Sequence, residues 1–375
     1  CSLLLAALLP CLWDRDTLAV EAVGAPGLTE VLMGRFDRFP RRYYEMRLDR
    51  VGAEIEAGGA DLALFDDAAV ASDRMGRSGE AIEWMGRKRQ QLSALEVPDP
   101  HHEYTLLANL GTFHAHRWLR AEKAVRDRVD LERARDLITS AIEKNPDAHF
   151  GRERYQLLAI ESLLDPVEPV STDSPATLVP RMFAKQGFKY RGAKLEEIGY
   201  GDAVEGLSGL IHLGDAWRST LIWATLEEVL RLRRDAYLAR LAAFRVVEIL
   251  DADREALPEF NRVNYLGDTR ALIETPDGER LDAWQSKARG SVLLWQASRT
   301  RYVMERLDRG EHPDTHSQFW SEWRDEHPLP DLGSSLSADE RRRYFQAARM
   351  AAVVIAGACC IVLIRRRRKR LAAAA

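Results

Sequence analysis

Apolar residues recur at intervals of three and four along most of the chain, the spacing of amphipathic helices. In "FDDAAVASDRMGRSGEAIEWM", residues 65–85, one such run stops at Gly76 and a second begins, which predicts a helix, a tight turn and an antiparallel helix. The stretches "LLANLGTFHAHRWL" (106–119) and "LERARDLITSAIEKNP" (131–146) predict another pair. Beyond the proline-rich "DPVEPVSTDSPATLVP" (165–180), residues 201–217 and 219–250 resume the pattern. They carry Gly206, Gly209, Ala239, Ala242 and Ala243 among apolar neighbours, which predicts two or three further helical hairpins. The two ends break the pattern. Residues 350–364 are uncharged and apolar all round, and "CSLLLAALLPCLW" opens the sequence.

These ends change the picture from a helical body to an anchored one. Extending the C-terminal run back to residue 345 gives 20 residues, with Arg349 near one end, enough to cross a bilayer core. It is followed at once by "RRRRKR", residues 365–370. Basic residues flank the cytoplasmic side of a span, so the tail is expected inside and the body outside. The first 13 residues read as the apolar core of an export signal, and "LLPC" resembles a lipobox that would place a lipid on Cys11, although Pro10 stands where such sites want a small residue. The expected plan is a signal over 1–13, a helical segment over 14–60, repeat hairpins over 61–164 and a linker over 165–181. A second helical region follows over 182–327, then a tether over 328–344, a transmembrane helix over 345–364 and a basic cytoplasmic tail over 365–375.

Charge narrows the partners. Six of the 54 basic side chains lie in the tail, so the rest of the chain sets 48 against 58 acidic ones, no footprint for nucleic acid. The four cysteines lie at positions 1, 11, 359 and 360, so the body has no thiol for a disulfide, a metal or catalysis.

The spacings Leu107-x2-Leu110-Gly111-x2-His114, then Ala134-x3-Ile138, Ala141 and Pro146, follow a known repeat pattern. Phe65-x2-Ala68-Ala69-x2-Ser72, Gly76 and Ala81-x3-Met85 give a second, degenerate copy, with Lys88 where a small residue is usual. Over about residues 61–164 the chain thus resembles tetratricopeptide-repeat proteins, and in wording it resembles bacterial envelope proteins that carry these repeats. The resemblance implies an all-α solenoid of helical hairpins whose first helices line a groove for a protein or peptide partner. Carried onto this chain, the groove positions are Asp66, Val70, Asp73 and Arg74 in one copy, and Ala108, Asn109, Thr112 and His116 in the next. As exposed polar positions, Asp73, Arg74, Asn109 and His116 would change stability little when replaced. The paired Lys and Asn pattern that clamps a chaperone's terminal carboxylate is absent.

Chemistry is sparse. His114 and His116 lie two apart, so they point about 200° apart on a helix and cannot share a metal from one turn. His114 is expected in helix packing, and His101 and His102 in a solvated loop. "HPDTH" (312–316) has helical metal spacing but no catalytic Glu, and there is no Walker loop, GxSxG, HExxH or CxxC. In "NPDAHFGRERYQ" (145–156), Asp147 is a candidate cap, and Arg152 and Arg154 are candidates for a partner or for a structural ion-pair network. The tryptophans at 217, 223, 284, 295, 320 and 323 are expected to cover core seams. The sequence therefore points to a non-enzymatic scaffold without metal or cofactor. Two alternatives stay open: a helical enzyme using His149, Arg152, His212 and His312, or a purely structural envelope protein.

Overall fold

The computed structural model describes residues 12–332, apart from 24–25, 60, 123–124, 147–150, 167–173, 189–193, 254–256, 258 and 276. Every regular element among the described residues is a helix, as the spacing predicts. The first repeat-like hairpin is α4 (Leu62–Arg74) and α5 (Ser78–Ser93), joined through Gly76 at φ +86°, a left-handed turn that glycine adopts without penalty. The second is α6 (Pro100–Arg120) and α7 (Arg128–Lys144). Side chains of Asp61, Asp99 and Asp127 accept the first free N–H groups of α4, α6 and α7, which fixes where each helix starts. Helices α6 and α7 are long, of 21 and 17 residues.

The small residues permit close approach, as expected. Ala69, Ala81, Ala134 and Ala141 are fully buried, and a Cβ on Gly111 would lie 2.9 Å from Ile138 of α7. Preceding this pair of hairpins are α1 (Arg15–Val23), α2 (Leu28–Met33) and α3 (Arg41–Glu56); α8 (Arg152–Leu164) follows it. From α3 to α8 each helix packs on the next, and α4 also lies against α6. The later helices are α9 (Val179–Lys185), α10 (Ala203–His212), α11 (Thr220–Leu232), α12 (Ala236–Ala252), α13 (Arg262–Arg270) and the 32-residue α14 (Asp277–Asp308). The beginning of the chain packs on its later part, because α2 touches α10, α12 and α14, and α14 reaches α3.

One hydrophobic core includes residues on both sides of the proline-rich stretch, from Ala115 and Leu131 to Leu250, Val292 and Leu332. The described part of that stretch is no free linker. Leu178 is buried and its N–H donates to Thr225 Oγ1 at 2.9 Å. Nor is residue 328 the start of a loose tether, because Trp284 Nε1 donates to the Pro330 carbonyl at 3.0 Å and Leu332 is buried. No helix among the described residues is long and apolar enough to cross a membrane. The expected transmembrane helix 345–364, the tail, Cys11, Asp147 and His149 lie outside the described residues.

Candidate functional site

The predicted groove positions are interior. Asp66, Val70, Asp73, Ala108, Asn109, Thr112 and His116 are all buried, so the expectation of an open polar face there is corrected. The physical reason is that the chain closes this face itself: residues 12–17 lie over Asn109, whereas Thr112 meets Gln156 and Asp73 meets Ser78 and Arg120. Asn109 accepts the Trp13 N–H at 2.8 Å and donates to the Trp13 carbonyl at 3.0 Å. Trp13 packs its ring edge-on against Tyr104 and His101, with Nε1 donating to Tyr104 Oη at 3.2 Å. Asp67 on α4 accepts both the Arg15 N–H, at 3.0 Å, and its guanidinium, at 2.6 Å. His101 and His102 stand in the first turn of α6, not in a loop.

Beneath that segment the polar groups pair internally, as buried polar groups must. Asp66 accepts from Asn109 and from Lys88, whose Nζ also donates to Thr105 at 2.7 Å. Burial, only partly offset by Lys88 and Asn109, raises the Asp66 carboxyl to about 6. His116 donates from Nδ1 to Asp73 at 2.6 Å, and Ser78 and Arg120 donate to the same carboxylate. Burial opposes that charge, but His116 and Arg120 outweigh it and hold Asp73 well below the usual carboxylate range. Thr112 donates to the Ala108 carbonyl and accepts from Gln156 at 2.9 Å. His114 packs between helices as expected, with Nδ1 2.8 Å from Asp130. Arg152 is buried, and Arg154 is tied to Asp202, Tyr155 and the Gly199 carbonyl.

The segment's next turn builds a second network that sequence reasoning missed. Arg47 of α3, wholly buried, donates to Asp16, Tyr43 and Asp314 and lies 3.3 Å from Asp14. Arg47 holds Asp314 down at about 2 against its burial, whereas burial and the neighbouring Asp16 push Asp14 up to about 7. His312, the first residue of "HPDTH", donates to the Tyr43 carbonyl and accepts the Asp314 N–H at 3.2 Å. It pins the C-terminal turn to α3 instead of facing a metal. The signal was present: Arg47 falls on the same stripe as Tyr43, Val51 and Ile55, a charge on an apolar face.

A cleft of about 940 Å³ opens where this network meets α2, α10 and the turn after α14. One wall is the segment from Asp14 to Val20; the others bring Arg35, Arg74, Arg299, Trp295, Trp320 and Trp323 to its surface. Of the predicted groove residues only Arg74 lines it, with its guanidinium donating to the carbonyls of Leu213 and Gly214. Arg299 lies 3.5 Å from the Trp320 ring centre and 4.9 Å from that of Trp323, and is clamped by both oxygens of Asp37. Trp223, Trp284 and Trp295 are core residues, as expected, but Trp217, Trp320 and Trp323 are half-exposed. Paired guanidinium and indole surfaces beside carboxylates suit a polypeptide with mixed charge and aromatic side chains. Among the described residues, no group of three or more His, Cys, Asp or Glu side chains could hold a metal ion. Comparisons with protein-family models, curated proteins and solved structures give no match.

Proposed function

We propose that this chain is a non-enzymatic scaffold of the tetratricopeptide kind, and that it binds a segment of a protein partner in the cleft beside its filled groove. The observation that carries the reading is the Asn109 carboxamide on the Trp13 peptide unit. Side chains of α4 and α6 thus engage another stretch of chain through its backbone at Trp13 and Arg15, and the cleft continues from that segment as open space of binding-site size. The apolar run 345–364 and the basic tail support anchoring in a bacterial cytoplasmic membrane, with the body outside.

A photo-crosslinking residue placed in intact cells at Trp323 in the cleft, and separately at exposed Arg133 on α7, tests the binding site. A discrete crosslinked partner from position 323 alone is the expected result. Equal crosslinking from both positions would overturn it. For the orientation, an impermeant thiol dye should label a cysteine introduced at Ser335 and spare one at Ala373; the reverse pattern would put the body in the cytoplasm.

A further inference from the structure

Beyond the cleft, three arginines from three parts of the chain converge on Trp217, and a fourth lies beside one of them. Arg38 comes from the loop after α2, Arg218 from the turn before α11, Arg245 from α12 and Arg289 from α14. The guanidinium carbons of Arg38, Arg218 and Arg245 lie 4.7, 4.2 and 6.0 Å from the Trp217 ring centre. Arg289 joins them through Gly34: a Cβ there would sit 3.2 Å from Arg289 Nη1 and 3.9 Å from Arg38 Nη1. Gly34 has φ +80°, so both backbone and space favour glycine, and the floor between the two cations stays clear.

The charges do not balance. Glu248 bonds Arg245 and Arg289, which also donate to the Trp217 and Met33 carbonyls, and Asp215 accepts from Trp217 Nε1 at the edge of the group. Arg38 and Arg218 make no ion pair with any described residue. Arg38 uses only Nη2, donating to the Gly34 carbonyl and to Gln296 Oε1. Arg218 is exposed and rests on the indole face. The crowding registers on Arg38: burial and then the charges of Arg245, Arg289 and Arg218 lower its guanidinium to about 10. Structural ion-pair networks add counter-charges until such groups are neutral; this one retains an excess of positive charge around a half-exposed aromatic face.

We propose that Arg38 and Arg218 beside Trp217, backed by the positive charge of Arg245 and Arg289, form a binding site for a phosphate-type oxyanion. Guanidinium forks recognise phosphate oxygens through paired, charge-assisted hydrogen bonds, and Arg38 keeps its Nε and Nη1 donors for such a partner. The phosphate group could be free in solution or borne by a lipid headgroup; the chemistry of the site is the same for both. This inference is independent of the partner-binding reading, because none of the four arginines lines the cleft.

The test titrates the purified full-length chain with inorganic phosphate, following tryptophan fluorescence against a Trp217→Phe control. In parallel, it measures binding to vesicles of phosphatidylglycerol and of phosphatidylcholine. Arg218→Gln is the main variant, since that side chain is exposed and makes no internal ion pair, so its loss leaves the fold intact; Arg38→Gln is the second. Saturable phosphate binding that weakens about tenfold or more in either variant supports the site with a free ligand. Binding to phosphatidylglycerol alone, lost in the variants, supports it with a lipid headgroup. No saturable binding to either, or binding that both variants retain at wild-type strength, overturns the proposal. So does a fluorescence change that chloride reproduces at equal ionic strength, because it would be screening and not a site.

Discussion

Asn109 of α6 holds the Trp13 peptide unit at both ends, accepting its N–H at 2.8 Å and donating to its carbonyl at 3.0 Å, while also donating to Asp66 at 3.0 Å. All three bonds are buried. Asn109→Ala would leave a backbone donor, a backbone acceptor and a carboxylate oxygen without partners, and each orphaned buried group costs about 1–3 kcal/mol. The expected loss is on the order of 3 kcal/mol or more, read as a lower urea midpoint at unchanged slope. A midpoint within experimental error of the wild type would show that residues 12–17 are not seated on this face in solution.

The same logic applies one turn along. Asp73 accepts from His116, Arg120 and, at 2.9 Å, from Ser78 in the interior. Asp73→Ala removes the anion and leaves the Arg120 cation and the His116 and Ser78 donors without it, a change that costs about 3–5 kcal/mol at buried pairs. His116→Ala should cost less, because Arg120 and Ser78 still satisfy the carboxylate. Thermal melting of the two variants should therefore rank Asp73→Ala well below His116→Ala; equal melting temperatures would contradict the network.

Both residues had read from sequence as groove-facing and tolerant, and the reason lies in what periodicity measures. Spacing places Asp73 and His116 on the faces of α4 and α6 that turn from their own hairpin partners, which leaves open what else covers those faces. The cover comes from elsewhere: Ser78 and Arg120 close over Asp73, and residues 12–17, distant in sequence, close over the neighbouring Asn109 and Asp67. The helices themselves were legible, because Gly76 and the small alanines act within a few residues of where they stand; the Asp99 cap was not, and His101 and His102 were expected in a loop for that reason. The cleft was not. Arg35, Arg74 and Arg299 meet there only after α14 crosses back to α2 and α3, and no local spacing records that crossing.

Glycine positions separate close approach from mere flexibility. At Gly206 on α10 a Cβ would lie 2.3 Å from the Tyr155 ring of α8, so Gly206→Ala must push the two helices apart. Overpacking of this kind costs about 1–3 kcal/mol. At Gly267, exposed in the middle of α13, nothing lies within 4 Å of the added carbon. There Gly267→Ala should stabilise by about 0.5–1 kcal/mol, through helix propensity and a less flexible unfolded chain. Chemical denaturation of the pair should give shifts of opposite sign; a destabilised Gly267→Ala would mean that α13 is packed differently.

Glu227 of α11 sets a pH dependence that one substitution can isolate. Burial raises its carboxyl from the ordinary 4.5 to about 7, with Arg231, whose Nε lies 2.8 Å away, only partly opposing the shift. Between pH 4.5 and 7 the folded state keeps this proton while the unfolded chain releases it. Stability must then fall as pH rises through that window, and level off above about 7, where both states are ionised. The cost of holding the buried charge at pH 8 is on the order of 3 kcal/mol. Glu227→Gln keeps the shape and an acceptor for Tyr265 Oη, 3.4 Å from the carboxyl, but has no proton to lose. It should therefore be close to neutral at pH 5 and stabilising at pH 8. Urea denaturation of wild type and variant at these two pH values isolates the effect, because Asp66, Asp14 and the other shifted groups titrate alike in both proteins. A variant equally destabilised at both values would mean that the Arg231 ion pair, and not burial, governs this carboxylate.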